Sequence, residues 1–127
     1  MPLFHVWFAT KGRRWLLEGD VAETVERQLR EVARSDHIAL IELKGVIDHV
    51  HLLLDLESEA ALPAAMKALK GKSARFVFLE MPDLGIDAPT HHLWQRGYGW
   101  KQVDPEAESS IRRYIRTQWD RLEKFEH

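Results

Sequence analysis

The sequence contains no cysteine among its 127 residues. Disulfide bonds, thiol catalysis and cysteine-based zinc sites are therefore excluded. No apolar run approaches the roughly 20 residues that a membrane helix needs. The opening stretch, MPLFHVWFAT, lacks the positively charged region of a signal peptide. We therefore expect a cytoplasmic protein without a membrane partner.

The chain also lacks a large excess of charge of one sign, since its formal net charge is −2. Domains that bind nucleic acid are usually basic overall, so this total does not by itself predict such a partner. The charges are unevenly distributed, however. Residues 60–79 contain no acid and four bases, Lys67, Lys70, Lys72 and Arg75. Because local patches set a binding field, this segment is a candidate surface for phosphates.

Length and pattern predict a single domain over residues 1–127. Runs rich in β-branched and aromatic residues predict strands at 3–10, 38–45, 46–56 and 93–103. A tight turn is predicted at Lys44 and Gly45, between the second strand and the third.

Helical spacing of apolar residues predicts helices at 20–35, with Asp20 as N-cap, and at 59–78, with a break or bend at Gly71. Asp104 and Pro105 are typical of the start of a last helix, and residues 81–92 are expected to form a loop. The order βαββαβ plus a further helix predicts an α+β, ferredoxin-like antiparallel sheet with an additional C-terminal helix.

Two histidines interrupt the hydrophobic stretch VIDHVHLLLDL, residues 46–56. Strand alternation places His49 and His51 on one face and turns Asp48 to the other. Neutral imidazoles on one face can bind a single cation. Two histidines make an incomplete site, so the alternative is that they are surface residues or hydrogen-bonded core residues.

The last helix carries a tyrosine and a glutamine beside its apolar stripe. Tyr114 and Gln118 are four residues apart and therefore lie on one face. A buried amide needs a partner, and its oxygen can bind a metal ion; packing against the core with backbone or water partners is the alternative. The stripe itself consists of Ile111, Ile115, Trp119, Leu122 and Phe125.

Four ordered blocks, DHVHLLLDL, KALKGKSARFVF, LWQRGYGWKQV and SSIRRYIRTQ, resemble the single-tyrosine HUH transposases. These are the small transposases of hairpin-ended bacterial insertion sequences and their REP-associated tyrosine relatives. The opening FHVWFATKGRRWLL is similar to the first strand of that family and the basic turn after it. The resemblance covers nearly the whole chain.

The resemblance implies an endonuclease and strand transferase that cleaves and rejoins single-stranded DNA beside a hairpin during DNA transposition. It implies that Tyr114 is the nucleophile, forming a 5′-phosphotyrosine, and that His49, His51 and Gln118 bind Mg²⁺ or Mn²⁺. It also implies a homodimer in which the tyrosine helix of one subunit can serve the histidines of the other. Whether the tyrosine acts within its own chain is left open by the sequence.

The expected DNA contacts are basic residues in three segments. They are Lys67, Lys70, Lys72 and Arg75 in the second helix, Lys11, Arg13 and Arg14 after the first strand, and Arg96. Trp94, Tyr98 and Trp100 alternate in the predicted last strand, where they can stack on unpaired bases or pack in the core or a dimer interface.

The sequence departs from the family pattern in two respects. GYGWKQVDPEAE lacks the threonine and glycine that usually follow GY, and the chain is slightly acidic where relatives tend to be basic. Two further hypotheses therefore remain. One is a domesticated protein that binds hairpin DNA or RNA without transposition activity, and the other is a ferredoxin-like domain that senses a metal or small ligand.

Overall fold

A computed structural model describes residues 2–86 and 92–118 of the chain. An antiparallel sheet contains β1 (Leu3–Ala9), β2 (Ala39–Val46), β3 (His49–Asp55) and β4 (Gly99–Val103), in the spatial order β2-β3-β1-β4. The helices are α1 (Gly19–Ser35), α2 (Leu62–Glu80), the short α3 (Asp83–Ile86) and α4 (Glu108–Arg116). The predicted ferredoxin-like α+β fold with an added C-terminal helix is confirmed.

No helix in the described ranges is long and apolar enough to cross a bilayer. A cytoplasmic location stays a prediction.

Helices α1 and α2 cover one face of the sheet and enclose the main core. Because strand side chains alternate, every second residue of β1 and β3 enters this core. Fully burying one such side chain contributes about 1.5–3 kcal/mol, so this face supplies most of the apolar stabilisation. The sheet contributes Phe4, Val6, Phe8, Val50, Leu52 and Leu54, and α1 contributes Val25, Leu29 and Val32.

Helix α4 packs on the opposite face of the sheet. A second, smaller cluster forms where Ile115 of α4 meets Leu53 of β3, with Leu3 and Val103 beside them. Two arginines of α4 also reach Glu42 on the edge strand β2, each at an N–O distance of 3.7 Å. This anchoring fixes where the end of α4 lies relative to β3.

The predicted turn at Lys44 and Gly45 is wrong. Both residues belong to β2, where they pair with His51 and Val50 of β3, and the hairpin turns instead at Ile47 and Asp48. Ile47 has a φ of 56°, an uncommon conformation for a β-branched residue. Two backbone hydrogen bonds with Leu17, at 2.8 and 3.0 Å, hold Ile47 in this conformation. Leu17 is distant in sequence, so the residues around Ile47 do not predict the turn.

Three other predicted boundaries are also wrong. Helix α2 continues through Gly71 without a break, and α1 begins at Gly19, with Glu18 as N-cap and Asp20 inside the first turn. Strand β4 begins only at Gly99, so Trp94 forms a single bridge with Thr10 instead of continuing a strand.

The C-terminal helix begins near its predicted start. A 3₁₀ turn, Pro105–Ala107, leads into α4, and Asp104 precedes the turn as its N-cap residue. Of the predicted apolar stripe, Ile115 is buried and Ile111 is partly buried. Trp119, Leu122 and Phe125 lie outside the described residues.

Candidate active site and nucleic-acid interface

Strands β1 and β3 bring two histidines together on the face that α4 covers. His51 lies opposite Trp7, two pairs along from His5, whose partner is Leu53. The Nε2 atom of His5 is 2.8 Å from Nδ1 of His51, and the two rings stack with centroids 5.1 Å apart. His5 was not among the site residues predicted from the sequence. Alternation along β1, which puts Leu3, His5 and Trp7 on one face, was the signal that could have found it.

His49 lies at the start of β3, next to the turn. Its ring centroid is 5.0 Å from that of His51, so the two predicted metal-binding imidazoles are neighbours. The expectation that Asp48 points away is wrong, because Asp48 belongs to the turn and does not follow strand alternation. Its Oδ1 atom lies 2.8 Å from Nδ1 of His49.

Tyr114 approaches this cluster from α4, and Gln118 follows it by four residues, just after the end of that helix. The Tyr114 ring lies edge-on to both His51 and His5, with centroids 5.9 and 6.0 Å apart. Gln118 is buried, and its Nε2 donates to the backbone carbonyl of Tyr114 at 3.0 Å, so its amide oxygen is the atom that suits a cation. The Tyr114 ring therefore lies beside His51 and His5 of its own chain.

The histidines at the centre of the cluster stay neutral near pH 7. Burial is the main cause that lowers the pKa of His51 to about 3, with further contributions from His49 and His5. Burial, followed by the charge of Lys101 on β4, also lowers the pKa of His5. A neutral imidazole keeps one nitrogen lone pair available as a ligand.

The chemistry of these side chains fits a divalent cation bound by mixed nitrogen and oxygen atoms. In the described part of the chain, no three histidine or acidic side chains converge as a metal site. His5 cannot complete such a set through Nε2, because that nitrogen is already hydrogen-bonded to His51. Two imidazoles with an amide oxygen, and with phosphate oxygens supplied by a substrate, form a donor set compatible with Mg²⁺ or Mn²⁺.

A basic groove of about 920 Å³ lies between α2 and residues 92–98. Trp94 anchors its far wall: its indole packs edge-on against Phe8 and donates to the Ser73 hydroxyl at 3.0 Å. Tyr98 is partly buried against the same core. Trp94 and Tyr98 therefore pack in the core and do not share one face of a strand. Five of the predicted DNA contacts line the groove: Lys11, Lys67, Lys70, Arg75 and Arg96.

The other predicted contacts lie elsewhere or are already paired. Lys72 faces the groove between α1 and α2 and pairs with Asp36 at 2.7 Å. Arg13 and Arg14 are exposed, and Arg13 lies 3.5 Å from the carboxylate of Asp48.

Lys70 is only partly exposed even though it lines the groove. Its ammonium donates to the carbonyls of Gln95 and Gly97, at 2.8 and 2.6 Å, and burial lowers its pKa. Lys70 therefore holds the 95–97 segment in place. Lys11, Lys67, Arg75 and Arg96 are left as the exposed cations of the groove.

The groove connects to the histidine site through the end of β1. The backbone amide of Lys11 donates to the carbonyl of Leu93, and the amide of Thr10 donates to the carbonyl of Asp48, both at 2.9 Å. Lys11 therefore contacts Leu93 in the wall of the groove, and the adjacent Thr10 contacts Asp48, which is beside His49. A nucleic acid held in the groove would lie at the same end of the sheet as His49.

Comparison with known proteins gives a consistent result. The family model "Transposase IS200 like" matches residues 3–118. The ISDra2 transposase TnpA of Deinococcus radiodurans is 34% identical over 93% of this chain and 84% of its own length. The transposase of insertion sequence element IS200 from Salmonella typhimurium is 29% identical over 91% of this chain and 75% of its own length.

Solved structures show the same relationship. A Deinococcus radiodurans protein described as a transposase superposes with a TM-score of 0.74 at 33% identity, covering 93% of this chain and 92% of that one. A REP-associated tyrosine transposase bound to a REP hairpin shares the fold, with a TM-score of 0.65 at 12% identity, over 91% of this chain and 65% of that one. The match extends over nearly all of the described chain, and this protein belongs to the IS200-like transposase family.

Proposed function

We propose that this transposase cleaves and rejoins single-stranded DNA beside a hairpin through a 5′-phosphotyrosine on Tyr114. His49, His51 and Gln118 are the proposed ligands of a divalent metal ion, Mg²⁺ or Mn²⁺. The observation that supports this proposal most directly is the 5.9 Å between the ring centroids of Tyr114 and His51. The family places the reaction class in DNA transposition.

The proposed reaction is an in-line exchange at phosphorus. The Tyr114 phenol oxygen forms a bond to the scissile phosphorus while the bond from phosphorus to the 3′ oxygen breaks. The phenol proton passes to solvent and the departing oxygen takes one up, leaving a free 3′-hydroxyl. When a 3′-hydroxyl attacks the phosphotyrosine, the reverse exchange seals a strand, and no nucleotide cofactor is needed because the phosphodiester is conserved.

His49, His51 and Gln118 would hold the cation, which when bound would stabilise charge at a phosphate oxygen during this exchange. The protein positions the nucleophile and the ligands. His51 is held between β1 and α4, and the Tyr114 ring stands edge-on to it. Burial keeps the pKa of His51 low, so this imidazole is available as a ligand at neutral pH.

The basic groove is the proposed binding site for the hairpin. Its exposed cations, Lys11, Lys67, Arg75 and Arg96, can contact phosphates without selecting a sequence. A relative with the same fold is bound to a REP hairpin. We propose that a folded DNA hairpin occupies this groove while its single-stranded flank crosses to Tyr114.

The decisive experiment compares the two tyrosines of the sequence. Tyr114→Phe and the matched control Tyr98→Phe are incubated with Mn²⁺ and labelled single-stranded DNA containing hairpins from the flanks of the gene. We expect a covalent protein–DNA band for the wild type and for Tyr98→Phe, and none for Tyr114→Phe, while hairpin binding persists in all three. An adduct with the Tyr114→Phe protein would refute the proposed nucleophile.

A second experiment tests the metal. His49→Ala, or an excess of chelator, should remove cleavage and leave the gel shift of the hairpin intact. Cleavage that persists in chelator would contradict the role of the cation. Hairpin binding without cleavage, for any flank sequence or divalent ion, would favour a domesticated hairpin-binding protein without transposition activity.

The proposed assembly is a homodimer of this single domain. Mixing His49→Ala with Tyr114→Phe tests whether active sites are shared between subunits. We expect the mixture to stay inactive, because Tyr114 lies beside His51 of its own chain. Recovered cleavage would show that the tyrosine helix serves the partner.

A further inference from the structure

The two histidines among the proposed metal ligands have the same unusual feature: each has a specific partner at Nδ1. Nδ1 of His51 lies 2.8 Å from Nε2 of His5, and Nδ1 of His49 lies 2.8 Å from Oδ1 of Asp48. The partners come from different parts of the fold, a strand and a turn. In both imidazoles Nε2 is the nitrogen left for a cation.

His5 is held where only a narrow range of ring positions is possible. Its ring stacks on His51 with an interplanar angle of 28°, and it touches Trp7 on one side and Tyr114 on the other, with centroids 5.1 and 6.0 Å away. The backbone pairing of β1 with β3 fixes the distance between the two strands. His5 therefore controls the orientation of the His51 ring about its Cβ–Cγ bond.

Asp48 is held equally firmly by the turn. Its backbone carbonyl accepts from the Thr10 amide at 2.9 Å and lies 3.3 Å from the Thr10 hydroxyl. Its second carboxylate oxygen faces Arg13 at 3.5 Å. With the backbone and one oxygen occupied in this way, Oδ1 is directed at Nδ1 of His49.

These contacts have a consequence for the position of each proton. A carboxylate only accepts hydrogen bonds, so the bond to Asp48 requires the His49 proton on Nδ1. A neutral His5 with its own proton on Nδ1 can accept at Nε2, which puts the His51 proton on Nδ1 as well. The Nε2 lone pairs of both rings then stay free.

We propose that His5 and Asp48 are positioning residues that hold His51 and His49 in the Nδ1–H tautomer, with Nε2 of each directed to the metal ion. The proposal rests on the metal-dependent function given above and adds to it the ligating atoms and the residues that select them. Partners of this kind at the second nitrogen orient metal-binding histidines and raise their basicity.

The His5 contact can run in the opposite direction, and this makes the proposal testable. If His5 Nε2 carried the proton and donated to Nδ1 of His51, then Nε2 of His51 would carry a proton too. His51 would then not be a ligand in that form. The tautomer of His51 in the metal-free protein therefore decides between the two arrangements.

The first experiment is long-range ¹H–¹⁵N NMR of the imidazoles in the full chain at neutral pH with a chelator present. We expect Nδ1 of His49 and His51 to show the signal of a protonated nitrogen and Nε2 that of an unprotonated one. Free histidine favours the opposite tautomer in water, so this result is specific to the proposed contacts. A protonated Nε2 on neutral His51 would overturn the assignment of His5.

The second experiment measures Mn²⁺ affinity by calorimetry for pairs of variants at each position. His5→Leu removes the acceptor, whereas His5→Gln offers an amide oxygen in its place; Asp48→Ala and Asp48→Asn form the corresponding pair. Loss of such a partner typically weakens metal affinity about 10–100-fold. We expect losses in that range for His5→Leu and Asp48→Ala and a several-fold smaller loss for the two amide variants.

Failure of the proposal can be told apart from failure of the proposed function. His92→Gln, at an exposed histidine away from the cluster, is the control and should bind Mn²⁺ like the wild type. If the wild type itself binds no Mn²⁺, the proposed metal site is wrong. If the wild type binds Mn²⁺ and His5→Leu and Asp48→Ala bind it equally well while remaining folded, only the positioning roles are refuted.

Discussion

The neutral, buried state of His51 predicts that the metal-free protein loses stability as the pH falls from 7 to 5. Burial lowers the pKa of His51 to about 3 in the folded protein, whereas an unfolded imidazole has a pKa of about 6.5. Below pH 6.5 the unfolded chain therefore takes up a proton that the folded chain does not. Stability is fully present above pH 6.5 and is lost progressively as the pH falls towards 3.

The size of the effect follows from proton linkage. Between pH 7 and pH 5 these two pKa values correspond to a loss of about 2 kcal/mol, and solvent at the exposed edge of the ring reduces it towards about 1 kcal/mol. His5 acts in the same direction, since burial and Lys101 lower its pKa too. For a domain of this size, the urea midpoint should fall by roughly 0.5–1 M from this cause.

The assay is urea unfolding at both pH values in the presence of a chelator. His51→Gln cannot be protonated in this range, so its free energy of unfolding should fall by about 1–2 kcal/mol less than that of the wild type. His92→Gln is the matched control and should keep the wild-type dependence. If His51→Gln loses as much stability as the wild type, the imidazole is not held neutral by burial and the reasoning fails.

Three further predictions concern the groove and α2. Lys67→Ala should reduce the slope of the logarithm of the hairpin-binding constant against the logarithm of the salt concentration by about 0.7–0.9. Lys72→Ala should leave that slope unchanged, because the Lys72 ammonium is already paired with Asp36. Equal effects of the two substitutions would contradict the placement of the groove. Gly71→Ala should raise the free energy of unfolding by about 0.5–1 kcal/mol, because an added Cβ meets no atom within 4 Å. A lower stability of this variant in thermal or urea unfolding would indicate a break in the helix. Ser73→Ala should lower the free energy of unfolding by about 1–3 kcal/mol, because it leaves the Trp94 indole N–H without its acceptor. The double variant Ser73→Ala/Trp94→Phe should lose less stability than the sum of the two single variants.

The fold was largely predictable because its signals are local. Spacing of Val25, Leu29 and Val32 identified α1, and alternation along β3 correctly separated Leu52 from His51. The boundaries failed where tertiary contacts override local preference. Lys44-Gly45 has the composition of a turn, yet the register with β3 keeps it in a strand, and Ile47 turns only because Leu17 holds its backbone.

The candidate site was predictable only in part. His49, His51, Tyr114 and Gln118 were identified from spacing and resemblance, and the first three lie close together in the structure. His5 was not identified, because its relation to His51 depends on the register between strands 46 residues apart in sequence.

Placement of the basic residues was harder still to predict. A run of bases on one helix does not reveal which side of the helix each occupies. The structure separates Lys67 from Lys72 accordingly.

The turn between β2 and β3 links the proposed phosphate-binding surface to the proposed metal site. Asp48 is in contact with Arg13 and Thr10 on one side and with His49 on the other. Thr10 is adjacent in sequence to Lys11, which lines the groove. Asp48 therefore connects the residues that follow β1 to the His49 imidazole through direct contacts.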